Sequence, residues 1–127
     1  MENFLQKLAV MILMILAPIQ AVMLTVGILI FTDLVTGIWA ALKRKEKISS
    51  AALRRTVSKM IIYQIAIISG FLIERYVIVD TFPIVKVVAG FISLVELKSI
   101  LENGNAILGT DIFKTLIAKL GSKNDQL

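Results

Sequence analysis

Residues 8–32 read LAVMILMILAPIQAVMLTVGILIFT, a run of 25 positions without a charged side chain. A helix needs about 20 apolar residues to cross the hydrocarbon core of a bilayer, so this run is long enough for one crossing. Only Asp33 separates it from the uncharged residues 34–42. As one straight helix, residues 8–42 would extend about 52 Å, well beyond the hydrocarbon core. The stretch therefore predicts a membrane helix with a break, which Pro18 and Gln20 offer.

The break can be placed in two ways. We prefer a short N-terminal apolar helix within residues 1–19, followed by a full transmembrane helix over residues 20–42. The alternative is one crossing over residues 8–31 followed by an interfacial segment. Both arrangements place Lys43 on the cytoplasmic side but differ over the location of the N-terminus. The sequence therefore leaves open whether residues 1–17 cross the membrane.

The composition points to a membrane protein with a single domain, residues 1–127. Hydrophobic residues make up 57% of the chain, and its mean hydropathy is +0.87. A soluble domain has only about 45–50% apolar residues, so the excess must face lipid or other subunits. The sequence has no Cys and no His, which excludes disulfides, thiol chemistry, zinc sites and histidine-based catalysis. We expect no enzyme activity, no catalytic or metal-binding residue and no cofactor.

Most of the net charge of +5 is concentrated in residues 43–59. Seven basic residues and one acidic residue, Glu46, give this segment a charge of +6, and the rest of the chain sums to −1. A basic segment between long apolar runs is typical of a short cytoplasmic loop. Because no aromatic residues are interleaved with the charges, a nucleic-acid interface is disfavoured. The residues expected to set this topology are Lys43, Arg44, Lys45, Lys47, Arg54, Arg55 and Lys59.

The basic loop ends in a helix start, since Ser49 and Ser50 are good N-caps before Ala51. Two further crossings and a terminal helix follow. Residues 60–79 are predicted to leave the cytoplasm, and a turn at Pro83 leads into a returning helix over residues 83–103, which ends at an Asn-Gly-Asn cap signal. Residues 110–121 form an amphipathic helix that either docks onto the other helices or lies on the inner leaflet. The predicted fold is an all-α integral membrane protein with three to four transmembrane helices and a short C-terminal amphipathic helix. The basic loop and the C-terminus are expected in the cytoplasm.

Asp33 is the most informative polar residue, because it lies about 15 Å from the interface that Lys43 marks, near the middle of the bilayer. A lone carboxylate at that depth is costly unless it is paired, protonated or hydrated. Asp33 is therefore either functional or a structural group inside a helix bundle, and both interpretations stay open. Small side chains on the same helix face permit close helix contact. The predicted seam consists of Asp33, Thr36, Gly37, Ala40 and Ala41.

A second polar seam lies on the returning helix, within an arc of about 100° on a helical wheel. Helices with one lipid-compatible face and one small or polar face gain stability by associating, within one chain or between copies. Three or four helices are too few to enclose a wide pore, so a large aqueous channel would require a homo-oligomer. An intramembrane protease with paired carboxylates would need motifs that the sequence lacks. The second seam consists of Lys86, Ala89, Ser93, Glu96 and Asn103.

Two blocks of the sequence resemble the toxin-secretion/phage-lysis holin family. Residues 33–41 read DLVTGIWAA and precede a short basic stretch, which resembles the Asp-x-x-Thr-Gly pattern of that family. Residues 96–103 read ELKSILEN, which is similar to its Glu-x-x-Ser-Ile-x-Glu-Asn signature, and an amphipathic tail follows. The resemblance covers roughly residues 25–120. The matching residues are Asp33, Thr36, Gly37, Glu96, Ser99, Ile100, Glu102, Asn103 and Gly109.

The resemblance implies a small bacteriophage or prophage protein that oligomerises in the cytoplasmic membrane of the bacterial host and permeabilises it, without catalysis or a cofactor. It implies release of a cell-wall endolysin, or of a large toxin in related systems, without required direct contact. Its partners would be copies of itself and the lipid bilayer. The residues alone leave two other functions open. One is a small multipass scaffold or regulator that binds another membrane protein, and the other is an ion-conducting subunit that uses Asp33, Lys86 and Glu96.

Overall fold

The computed structural model describes residues 1–124, other than the side chains of Glu2, Phe113 and Asn124, so the last three residues of the predicted domain 1–127 lie outside it. Within these residues every regular element is helical, and the predicted all-α class is confirmed. A 3-10 turn, Ala17–Ile19, joins the first two helices. The α-helices are α1 (Glu2–Leu16), α2 (Gln20–Lys43), α3 (Ser50–Tyr76), α4 (Ile84–Leu108) and α5 (Ile112–Asn124).

Two helical segments of the described chain are long and apolar enough to cross a membrane. One is the 41-residue segment Asn3–Lys43, which combines α1, the 3-10 turn and α2, and the other is α3. Pro18 lies in the 3-10 turn, where a residue without an N–H interrupts the α-helical hydrogen bonding. α4 has 25 residues, a comparable length, but it carries four charged side chains: Lys86, Glu96, Lys98 and Glu102.

Helices α2, α3 and α4 pack together into a three-helix bundle. α3 approaches α4 closely at Gly70, where an added Cβ atom would lie 3.0 Å from Cγ2 of Ile84. The side-chain amide of Gln64 ties α3 to α2 by donating to the carbonyl oxygen of Met23 at 3.0 Å. The buried core of the bundle consists of Ile19, Val26, Ile30, Ile67, Phe71, Val85 and Ile92.

The outer surface of the bundle is apolar. Large side chains on all three helices point away from the core and are between 62% and 71% exposed; examples are Leu24, Phe31, Ile62, Phe91 and Leu94. α1 is also exposed along most of its length. A continuous apolar surface of this kind is typical of contact with lipid or with other protein chains. It therefore supports a membrane location.

The basic segment 43–59 differs from the loop that the sequence predicts. Residues 44–49 connect α2 to α3, and α3 already begins at Ser50. The hydroxyl of Ser49 caps this helix by accepting a hydrogen bond from the Ala52 N–H at 3.2 Å. The helix start that Ser49 and Ser50 predict is confirmed, and the loop ends there and not at residue 59, because Lys and Arg are good helix formers and do not delay a capped helix. As a result, Lys59 lies on a helix of the bundle.

The turn between α3 and α4 is braced by side chains. α3 ends at Tyr76, three residues before the predicted end at residue 79. Glu74 Oε2 accepts a hydrogen bond from the Val85 N–H at 2.7 Å and so binds the exposed amide groups at the start of α4. Arg75 Nη1 lies 2.8 Å from Asp80 Oδ2, in an ion pair on the surface. These contacts fix the two helices relative to each other.

α4 extends past its predicted end at residue 103. Asn103 and Asn105 both lie inside the helix, which ends at Gly109 with a left-handed φ of 69°. Glycine adopts this conformation without the steric cost of a Cβ atom, which makes it a better helix terminator than asparagine. The side chain of Asn105 is used differently: its Oδ1 accepts from the Ile112 N–H at 2.7 Å and connects α4 to α5.

The terminal helix α5 is capped by Asp111, whose Oδ1 accepts from the Lys114 N–H at 3.1 Å. Its apolar side chains Leu116, Ile117 and Leu120 are 47%, 56% and 66% exposed. The described part of the chain leaves these three side chains uncovered, whereas Ile112, at the start of α5, packs against Gly104 of α4.

Candidate functional site

Three charged side chains from three different helices meet inside the bundle. Nζ of Lys59, on α3, donates to Oδ2 of Asp33, on α2, at 2.9 Å. It also donates to Oε1 and Oε2 of Glu96, on α4, at 3.0 and 2.9 Å. An ammonium group has three N–H donors, and three carboxylate oxygens surround this one. A single cation thus links all three helices of the bundle.

The amide of Asn103 extends the cluster on the side of α2 and α4. Its Nδ2 donates to Oδ1 of Asp33 at 3.1 Å, to the Asp33 carbonyl oxygen at 3.3 Å and to Oγ1 of Thr36 at 3.1 Å. The Thr36 hydroxyl in turn donates to the Thr32 carbonyl oxygen at 2.8 Å. Both oxygens of Asp33 therefore have a donor. We call Asp33, Lys59, Glu96 and Asn103 the ion network.

The ion network is largely shielded from the surroundings. The Glu96 side chain is 1% exposed, Asp33 is 14% exposed and Lys59 is 25% exposed. When all three side chains are ionised, the network carries one net negative charge. Burying such groups is costly, and their mutual attraction offsets the cost only when the hydrogen bonds are well formed. Removal of Lys59 would leave two uncompensated carboxylates, and removal of one partner of a buried pair typically costs about 3–5 kcal/mol.

The lengths of the helices explain why these residues meet. Asp33 lies ten residues before the end of α2, and Lys59 lies nine residues after the start of α3. Because a short connection joins the two helices, both side chains lie about 14–15 Å from the same end of the bundle. Glu96 and Asn103 are seven residues apart on α4, which is two helical turns, so they share one face. This hairpin register is the sequence signal that would have identified Lys59.

The structure brings most of the predicted α2 seam into the contact with α4. Asp33 and Thr36 bond to Asn103, and a Cβ atom added to Gly37 would lie 3.5 Å from Nδ2 of Asn103. Ala40 is fully buried. Small side chains at these positions let the two helix backbones approach each other. Ala41 is half-buried and lines a cavity at the end of the bundle.

The predicted seam on α4 is divided between the interior and the surface. Glu96 and Asn103 belong to the ion network, and Ala89 is buried in the bundle. Ser93 is half-buried in a shallow groove between α2 and α4. Lys86 is exposed and makes no ion pair with the described residues. The structure therefore does not bring Lys86 into the ion network, and its place in a seam between copies stays a prediction.

The remaining residues of the family-like motifs take separate positions. Ser99 lines the cavity at the end of the bundle, and Ile100 is half-buried. Glu102 is exposed, with its Oε1 3.7 Å from Nζ of Lys98. Gly109 terminates α4, as described above. The residues of the two family-like motifs thus have three different structural roles: some belong to the ion network, some pack between helices, and Gly109 terminates a helix.

The predicted topology residues also fall into two groups. Lys43, Arg44, Lys45, Lys47, Arg54 and Arg55 are exposed around the connection between α2 and α3. Arg44 is paired with Glu46, with Nε and Oε1 3.0 Å apart. Lys59 does not belong with them, since it lies in the ion network. Its assignment to the loop surface is corrected by the helix that begins at Ser50.

The ion network is suited to holding the three helices together or to lining a water-filled opening, and it does not resemble a metal centre. The described residues contain no group of three or more His, Cys, Asp or Glu side chains that could hold a metal ion. Within the closed bundle the polar groups are satisfied by one another. If the helices separated, the same groups would present two carboxylates, an ammonium group and an amide to water.

Comparison with known proteins gives one match. A sequence model of a bacteriophage holin family matches residues 6–123, which is most of the chain and includes every member of the ion network. No curated protein and no solved structure gives a significant match.

Proposed function

Because the chain belongs to the bacteriophage holin family, we propose that it oligomerises in the cytoplasmic membrane of the bacterial host and opens lesions through which a cell-wall endolysin escapes. In related contexts the released protein would be a large toxin. No direct contact with the released protein is needed, because a large enough lesion lets it pass. The family is not an enzyme family, and the proposed action requires neither catalysis nor a cofactor.

The observation that best supports this proposal is the position of the ion network inside a bundle with an apolar exterior. Such a bundle is compatible with lipid as a single copy, since the charged groups of the ion network face inwards and are paired. The bundle also contains, in the ion network, polar groups that could line a water-filled lesion. Assembly of several copies would allow α2, α3 and α4 to separate and to exchange contacts within one chain for contacts between chains.

We propose a multipass topology with three or four crossings. α2 and α3 cross the membrane, α4 crosses with its charged side chains directed to the bundle or to the membrane surfaces, and α1 supplies either a fourth crossing or an interfacial segment. The basic segment 43–59 lies on the cytoplasmic side, as expected from its positive charge. α5 lies on the inner leaflet, because its exposed apolar face requires a cover and Lys114, Lys119 and Lys123 can face anionic headgroups.

Expression of the chain in bacterial cells tests the function. Cells would carry the chain together with an endolysin that has no export signal, and culture density, membrane potential and release of a cytoplasmic enzyme would be followed. A holin lyses these cells and, without the endolysin, stops growth and depolarises the membrane. A scaffold does neither, and an ion-conducting subunit depolarises the membrane without protein release. Unchanged potential and viability at full membrane expression would contradict the proposal.

Cysteine labelling tests the topology cleanly, because the natural sequence has no cysteine. Ser50→Cys, at the start of α3, should react with a membrane-impermeant reagent only after the cells are opened. Phe82→Cys, in the exposed turn between α3 and α4, is the matched control and should react in intact cells. Labelling of Ser50→Cys from outside would contradict the proposed orientation.

A further inference from the structure

An open cavity of about 460 Å³ lies at the end of the bundle where α2 is connected to α3. Its walls come from the last turns of α2, the connection 44–49, the first turns of α3 and one side of α4. We call it the basic-end cavity. The charged residues that line it are Asp33, Arg44, Glu46, Lys47, Arg55 and Lys59.

Both acidic residues of the basic-end cavity are already paired. Asp33 is held by Lys59 in the ion network. Glu46 is held by Arg44 through two contacts, Nε to Oε1 at 3.0 Å and Nη2 to Oε2 at 3.2 Å. Bidentate pairs of this kind are the strong form of an arginine–carboxylate contact. The cavity's own anions are therefore occupied.

Two cations of the cavity are unpaired. Lys47 and Arg55 have no carboxylate oxygen within the 4.0 Å limit of an ion pair in the described part of the chain. The lining thus carries two positive charges in excess of its negative ones. The first turn of the 27-residue helix α3 adds a partial positive charge at the same place, since Ser49 and Ala52 also line the cavity. The hydroxyl of Ser99 adds a neutral donor to the lining.

One wall of the cavity is apolar. Leu34, Ile38 and Ala41 form it, on the side of α2. A small inorganic anion would use only the basic side of such a site, whereas a phospholipid would place its phosphate against the cations and its glycerol and first methylene groups against this wall. The cavity thus combines surplus positive charge, a helix start and an apolar wall. This combination favours a phosphate group that is carried by a partly apolar molecule.

We propose that the basic-end cavity binds a phosphate group, with Lys47 and Arg55 as its charged ligands. The molecule that carries the phosphate is either the headgroup of an anionic phospholipid or free phosphate, and the apolar wall favours the lipid. This proposal concerns binding to the closed bundle and does not depend on lesion formation, so it can fail or succeed separately from the proposed function.

The chain offers a matched pair of controls for each ligand. Arg54 is adjacent to Arg55 and exposed, and Lys45 is two residues from Lys47 and exposed, but neither lines the cavity. Arg55→Gln and Arg54→Gln change the net charge equally, as do Lys47→Gln and Lys45→Gln. A general attraction of basic residues to anionic membranes would respond equally to both members of a pair.

The experiment is native mass spectrometry of the purified full-length chain from micelles that contain phosphatidylglycerol or phosphatidylcholine. We expect the wild-type chain to retain phosphatidylglycerol and not phosphatidylcholine. Arg55→Gln and Lys47→Gln should each lower the retained fraction about fivefold, the effect of one basic residue near an anionic headgroup, while Arg54→Gln and Lys45→Gln leave it unchanged. Inorganic phosphate is then titrated against the retained lipid.

The outcomes distinguish a lipid headgroup from free phosphate, and they also include results that would refute the proposal. Phosphatidylglycerol that stays bound in about a tenfold molar excess of inorganic phosphate identifies the lipid as the ligand. Displacement by that excess, or phosphate binding with the same dependence on Arg55, identifies free phosphate. Equal losses in Arg55→Gln and Arg54→Gln would overturn the proposal, because they indicate diffuse attraction. Absence of binding to either probe in the folded wild-type chain would overturn it as well.

Discussion

Replacement of Lys59 by methionine should destabilise the bundle far more than loss of any surface ion pair. Methionine has a similar length but cannot donate a hydrogen bond to Asp33 or Glu96. The two carboxylates would then face each other without the ammonium group that lies between them in the native chain. Glu96 is 1% exposed and cannot be hydrated without opening the bundle. We expect a loss of about 3–5 kcal/mol in the free energy of unfolding, the range measured when one partner of a buried pair is removed.

Arg75→Met is the matched control. Its ion pair with Asp80 has an Nη1–Oδ2 distance of 2.8 Å, as short as the contacts of Lys59, but the two side chains are 57% and 51% exposed. Exposed pairs of this kind contribute about 0–1 kcal/mol. Because the contact distances are nearly equal, the difference between the two variants measures the combined effect of burial and of the second carboxylate that Lys59 contacts.

The measurement is unfolding in mixed micelles with increasing denaturing detergent, followed by circular dichroism. The combined variant Asp33→Asn, Lys59→Met and Glu96→Gln removes all three charges together and should recover most of the loss, because no buried charge is left unpaired. If Lys59→Met unfolds at the same detergent fraction as Arg75→Met, the ion network does not stabilise the bundle. The reasoning would also be refuted if the combined variant were less stable than Lys59→Met.

Three further predictions follow from the contact between α2 and α4 and from the end of α4. Gly37→Leu should destabilise the bundle by about 1–3 kcal/mol, because its side chain would meet Asn103, whereas Gly90→Leu has no heavy atom within 4 Å of its added Cβ and should have little effect on the same unfolding curve. Asp33→Leu should reach the membrane in normal amounts but shift the onset of lysis in the expression assay, and an unchanged onset would assign Asp33 a purely structural role. Gly109→Ala should loosen the connection to α5 through strain at its φ of 69°, with faster proteolysis after α4 as the readout and an unchanged cleavage rate as the contradicting result.

The sequence was sufficient for the helices but not for the contacts between them. Long uncharged runs require helices in a membrane, since each backbone polar group must be satisfied locally, and this fixes the all-α class. Ser49 and Ser50 correctly indicated a helix start, but the basic residues up to Lys59 were still assigned to one loop because their charges were used to define the topology. Likewise, Asn103 looked like a helix end, and its actual use as a donor to α2 depends on how two helices are rotated about their axes.

Of the candidate site, the polar members of α2 and α4 could be identified and their partner could not. Asp33 and Glu96 are conspicuous because carboxylates are rare in apolar helices. Lys59 is the last residue of a cluster of basic residues, so the sequence pattern gave no reason to assign it a different role from its neighbours. The hairpin register places Lys59 level with Asp33, but this register was not combined with the helix start that Ser49 and Ser50 indicate.

Hydrogen bonds at the two ends of α4 restrict where the bundle can open. Glu74 fastens the start of α4 to α3, and Asn105 fastens the start of α5 to α4, each through a contact of 2.7 Å. The connection between α2 and α3 has instead the pair Arg44–Glu46, whose side chains are 48% and 56% exposed. Movement of α3 and α4 away from α2 about residues 44–49 would therefore require the contacts of Lys59 and Asn103 with Asp33 to break, and a disulfide engineered across that connection would keep the bundle closed.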